Sequence, residues 1–68
     1  MNKFIPLTIR QATLEDGTIV APKDIIVNTD SITYIEKHKE HTHLFLQGLE
    51  DYLHIAEPVE EVMARIRA

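Results

Sequence analysis

The stretch DSITYIEKHKEHTHLFLQGLEDYLHIAEPVEEVMARIR, Asp30–Arg67, decides the fold. It divides into three strand-like runs and one short amphipathic helix. Ser31–Lys37 carries Ile32, Thr33, Tyr34 and Ile35, apolar or β-branched at both parities, which predicts an interior strand. Lys37-His38-Lys39-Glu40 reads as a solvated polar turn, and the range 41–47 as the returning strand. Gly48-Leu49 matches a type II′ two-residue turn, in which glycine takes the positive φ. That turn sets a register for the next strand, with Leu44 opposite Leu53, His43 opposite His54 and Phe45 opposite Tyr52. Side chains alternate across a strand, so Leu44, Leu46, Leu53 and Ile55 form a core face. His41, His43, Phe45, Tyr52 and His54 then share the opposite face.

Glu57-Pro58 opens the helix, with proline expected at the first helical position, where its missing N–H costs nothing. Val59, Val62, Met63 and Ile66 recur at i, i+3, i+4 and i+7, one apolar stripe for packing on a sheet. Glu60 and Glu61 near the start and Arg65 and Arg67 near the end complement the helix dipole.

Upstream, Ile5, Leu7 and Ile9 alternate with Phe4, Pro6, Thr8 and Arg10, the period of a half-buried strand. Pro6 cannot donate to a ladder and predicts a sheet edge at that point. Asp16-Gly17 between strand-forming residues predicts a small hairpin or excursion. Ala21-Pro22-Lys23-Asp24 reads as a loop, Ile25-Ile26-Val27 as a strand buried on both faces, and Asn28–Ser31 as an Asx-type turn.

The chain has 68 residues, enough for one small domain. A domain this size buries about 60% of its unfolded surface, and its core supplies roughly 3–5 kcal/mol. There is no cysteine to add a disulfide, so self-association is the expected source of further burial. Eleven acidic against seven basic side chains give a net charge of −4, which weighs against phosphate-driven nucleic-acid binding. No apolar run reaches the ~20 residues of a membrane span, and the N-terminus has no signal-peptide pattern; the expected location is the cytoplasm.

Catalytic patterns are weak. Ser31 is the only serine and lacks a glycine elbow, and two glycines cannot build a phosphate-cradling loop. The four histidines, at 38, 41, 43 and 54, are more informative. The register brings His41, His43 and His54 to one face, a donor set that suits zinc or another transition metal. The stronger reading of that face is partner binding through aromatic anchors, at His41, His43, Phe45, Tyr52 and His54. No cofactor, no metal and no catalytic residue are assigned, with the histidine metal site kept as the alternative.

Several short motifs together resemble a known family. Leu7-Thr8, Ile26-Val27-Asn28, Ile32-Thr33-Tyr34-Ile35-Glu36, Thr42 with alternating apolar residues, Tyr52, and Ala56-Glu57-Pro58-Val59-Glu60-Glu61-Val62 follow in an order similar to the FlbD family of small flagellar-operon proteins and related small bacterial and prophage proteins. The resemblance covers most of the chain and implies an accessory role through protein contacts, with no catalytic residues. Thr13–Asp24 lengthens a region the family keeps short, and Pro58 stands where the family has serine. Asp30–Glu36 and Val59–Val62 also resemble the first half of the LytTR DNA-binding domain, which implies a regulator fragment.

These readings predict one α+β domain: a small antiparallel β-sheet or partly closed barrel of about five strands with one C-terminal helix. The expected strands cover about 3–10, 18–21, 25–28, 31–37, 41–47 and 50–56, and the helix about 58–67. The expected function is a non-enzymatic, self-associating protein-interaction module without membrane insertion. The alternatives are a DNA-binding regulator fragment, a phage-encoded inhibitor of a host complex, and histidine-mediated metal binding.

Overall fold

Alternation along Phe4–Ile9 makes strand β1, which sends Ile5 and Leu7 into the core and leaves Phe4 and Pro6 outside. A computed structural model describes residues 3–68, in which β1 pairs antiparallel with β4 (Lys23–Asn28) along its whole length, from Phe4 opposite Asn28 to Ile9 opposite Lys23. Between them, β2 (Ala12–Thr13) and β3 (Ile19–Val20) pair only with each other. Their turn is closed by Leu14 N–H to Thr18 O (2.8 Å) and by Thr18 N–H to the Asp16 carboxylate (2.9 Å), with Gly17 at φ +88°. This is the hairpin that Asp16-Gly17 predicts. Every residue from Arg10 to Asp24 is exposed, so the hairpin is an arm, outside the core.

Pairing on β4 starts at Lys23, so the expected loop ends at Pro22. The strand is buried on one face only: Val27 is buried while Ile26 is 74% exposed. Three consecutive apolar residues here do not mean two covered faces, because no element packs over the Ile26 side among the described residues. Asn28 then accepts the Asp30 N–H through its side chain (3.0 Å), the expected Asx turn, and a short 3₁₀ turn, Thr29–Ser31, leads into β5 (Ile32–Lys37).

The main sheet runs β4-β1-β7-β6-β5, all antiparallel, with β6 at Thr42–Leu46 and β7 at Leu53–Ile55. It stays open, so the sheet alternative holds and the barrel does not. β5 is an edge strand, not the interior strand its double apolar parity predicts. The cause is a bulge: Ile32 faces Leu46 but Tyr34 faces Phe45, leaving one extra residue in β5. The bulge lets Ile32 and Ile35, three positions apart, both pack against the core while Tyr34 turns to the other face.

Between β6 and β7 the expected register is present, with His43 opposite His54 and Leu44 opposite Leu53. The turn that joins them differs. Leu49 N–H bonds Leu46 O at 3.3 Å, and Gly48, at φ +89°, is the third residue of that turn, the arrangement of type II. A type II turn does not match strand twist, so pairing stops at Leu44 and Leu53 and a loop bridges the gap.

Helix α1 covers Val59–Arg67, with Pro58 just outside it as the N-cap residue, one position earlier than expected. Pro58 is extended at ψ 160°, and its carbonyl accepts the Glu61 and Val62 amides (3.0 and 3.1 Å). Val62 is fully buried against a core of Ile5, Leu7, Val27, Leu44 and Ile55, and Ile66 packs on it from the side. The core is one-sided: helix and core lie on one face of the sheet, and the other face carries no element among the described residues. No helix among the described residues is long and apolar enough to cross a membrane.

β1 meets β7 at one ladder pair, Ile9 with Ile55. Beyond that pair the free edge of β1 is served by side chains. Thr8 N–H donates to Glu57 Oε1 (2.9 Å), and Pro6 O accepts from Arg65 Nη1 (2.7 Å). The missing N–H of Pro6 therefore falls on a local edge of a strand that is internal by order.

Candidate functional site

The helix-free face holds all five side chains expected there, and adds three that were not. Phe45 and Tyr52 have ring centroids 5.1 Å apart, His43 and Tyr52 4.1 Å, and His43 and His54 5.0 Å. His41 lies 5.1 Å from His43 and 6.3 Å from His54. Tyr34 extends the row onto β5, stacked on Phe45 at 4.1 Å with planes 14° apart. Aromatic pairs of this kind add about 0.5–1.5 kcal/mol beyond their buried area.

The β5 bulge delivers Tyr34 to this row, and no local signal in Ile32–Lys37 announces that bulge. His38 is the second residue missed. The turn assigned to it is present, closed by His38 N–H to His41 O (3.1 Å), but its ring is half-buried and lies 3.7 Å from the His43 ring. Glu36 is the third. One oxygen of its carboxylate takes His43 Nδ1 at 3.2 Å and His38 Nε2 at 3.0 Å. The spacing Glu36-x-His38-x-x-His41-x-His43 is the signal that could have joined them, once a tight turn folds His38 back over the strand.

The protons in this cluster follow from the donors present. Arg10 Nη1 sits 2.9 Å from His41 Nδ1, and a guanidinium has no acceptor, so that Nδ1 carries a lone pair. The neutral ring then holds its proton on Nε2 and donates it to His43 Nε2, 3.2 Å away. His43 in turn keeps its proton on Nδ1 and donates to Glu36. The result is a directed chain from Arg10 through two neutral imidazoles to a carboxylate.

The charges agree with that direction. Burial lowers the His41 pKa below its usual 6.5, and Arg10 and the neighbouring histidines lower it further. Hydrogen bonds from His38 and then His43 hold the Glu36 carboxyl below its usual 4.5. His43 itself is only 7% exposed, so the face is a sealed row at its centre and open at Tyr34 and His54.

The ligand atoms of His38, His41 and His43 all lie within 4.8 Å of one another. That grouping replaces the expected set of His41, His43 and His54, in which the exposed His54 is the odd one out. The cause is geometric: His54 stands across the ladder from His43, edge to face, while the turn curls His38 directly over it. Beside His41 opens a recess lined by Arg10, Lys39, Glu40 and Ala56. No protein-family model, curated protein or solved structure matches the chain.

Proposed function

We propose that this chain is a non-enzymatic interaction module that binds a second copy of itself through the helix-free face of its sheet. The observation that carries the reading is the ring row Tyr34–Phe45–Tyr52, which runs from β5 across β6 to the residue before β7 and has no element over it among the described residues. Side-by-side rings on neighbouring strands present a broad surface, and aromatic anchors of this kind concentrate interface energy. The small core favours a second copy as the occupant: the six apolar side chains buried among the described residues are a thin source of stability for a domain without disulfides. A two-fold interface lets one aromatic row pack on its own image. Such a module suits the accessory role that the FlbD resemblance implies.

Sedimentation equilibrium from low micromolar to millimolar concentration tests the reading. The expected result is a monomer–dimer equilibrium that shifts at least tenfold toward monomer in Tyr34→Ser, a substitution at a 53% exposed position that leaves the core intact. A wild-type chain that stays monomeric over the whole range overturns it, as does a dimer indifferent to Tyr34.

A further inference from the structure

We infer that His38, His41 and His43 form a binding site for a divalent first-row transition metal ion of the zinc class, gated by Arg10. The inference does not depend on the self-association reading. Two imidazole nitrogens bound to one tetrahedral ion at about 2.0–2.1 Å from the metal stand about 3.3 Å apart. His41 Nε2 and His43 Nε2 are 3.2 Å apart, His43 on β6 and His41 in the turn that leads into it. An ion therefore fits between them in place of the proton they share, once each ring turns to aim its nitrogen at the ion. His38 brings the third nitrogen from the adjoining turn, within 4.8 Å of the others, and needs a shift of up to about 1.5 Å to reach the spacing of a tetrahedral ligand set. A water would complete the fourth position, from the side of the recess next to His41.

The surroundings are those of a metal ligand set. Metal-bound histidines donate their second ring N–H to a carboxylate or carbonyl, which fixes the tautomer and strengthens the ligand. His43 already does so, Nδ1 to Glu36 at 3.2 Å. Imidazole donors without thiolate or carboxylate in the first shell suit zinc, copper and nickel over calcium or magnesium.

Arg10 opposes the ion for a definite reason. When His41 binds metal through Nε2, its one proton must sit on Nδ1, and that N–H would then point at the Arg10 guanidinium, donor against donor. Binding thus requires Arg10, exposed at the end of β1, to swing away from the ring. Arg10 is a positioning residue: it holds His41 in the tautomer that does not bind. Replacing it with a group that accepts the Nδ1 proton removes the opposition and adds a second-shell partner.

The test is a titration of the full chain with Co²⁺, followed by visible absorption, with Zn²⁺ then displacing it. The expected result is one ion per chain with a tetrahedral Co²⁺ spectrum. His38→Ala and His41→Ala each weaken Zn²⁺ binding at least tenfold, His54→Ala leaves it unchanged, and Arg10→Gln tightens it about tenfold. Circular dichroism on each variant separates loss of ligand from loss of fold, and the exposed Arg10 and His54 positions keep the test readable even where a histidine variant unfolds. Absence of a tetrahedral Co²⁺ spectrum overturns the site. Equal losses from His54→Ala and His38→Ala overturn this ligand set, and weaker binding by Arg10→Gln overturns the gate.

Discussion

Glu57 does more for the fold than its place in a loop suggests. Its carboxylate takes the Thr8 N–H (2.9 Å), the Thr8 hydroxyl (3.0 Å) and Arg65 Nη1 (3.1 Å), while its carbonyl accepts from the buried Thr42 hydroxyl (2.8 Å). One side chain, 11% exposed, thereby joins β1 to the helix where no strand completes the ladder. Removing it orphans a half-buried backbone donor, which costs about 1–3 kcal/mol. Glu57→Ala should lose that much in urea unfolding. Burial raises the Glu57 pKa, but the Thr8 hydrogen bonds and Arg65 outweigh it and hold the carboxyl below its usual 4.5. Unfolded Glu57 therefore binds protons more readily than folded Glu57. Its contribution is complete above 4.5 and is lost as pH falls through the lower folded value. Glu57→Gln should flatten the acid limb of the stability curve, measured by thermal unfolding between neutral pH and pH about 2. The sequence places Glu57 beside Pro58 as a helix opener, but its partners Thr8 and Arg65 are 49 and 8 residues away. No local pattern joins them.

At the scale of elements, the two glycines separate coupled from uncoupled structure. Both take a positive φ with open space where a Cβ would lie, so an alanine meets only backbone strain, about 1–2 kcal/mol. Gly48 sits in the turn that joins β6 to the middle strand β7, whereas Gly17 sits in an arm that pairs with itself alone. Gly48→Ala should therefore lower the melting temperature while Gly17→Ala leaves it unchanged and speeds amide exchange at Leu14 and Gly17 only. A shared drop in both would show that the arm unfolds with the core. What was legible at this scale came from periodicity: β1, the helix stripe and the β6–β7 register follow from alternation and one glycine. The register survives an incorrect turn type because type II′ at Gly48-Leu49 and the observed longer loop place His43 opposite His54 alike. The position of β5 at the edge was not legible, since a bulge imitates the apolar parity of an interior strand. Nor was His38 over His43, since it depends on how a turn curls rather than on which residues it contains.

For the molecule as a whole, a core on one face of an open sheet leaves little margin. Leu44, fully buried on the interior strand β6, belongs to that core, and Leu→Ala costs about 2–5 kcal/mol where a cavity remains. With roughly 3–5 kcal/mol in a core of this size, Leu44→Ala should abolish the cooperative thermal transition at low concentration. The bulge at Thr33 also bears on how such a sheet avoids its neighbours. An unpaired edge strand is a template for endless addition of further strands, the start of aggregation. By bending β5 and breaking the even spacing of its outward amides and carbonyls, the extra residue spoils that template. The same irregularity that turns Tyr34 toward the ring row thus hinders the addition of further strands along β5.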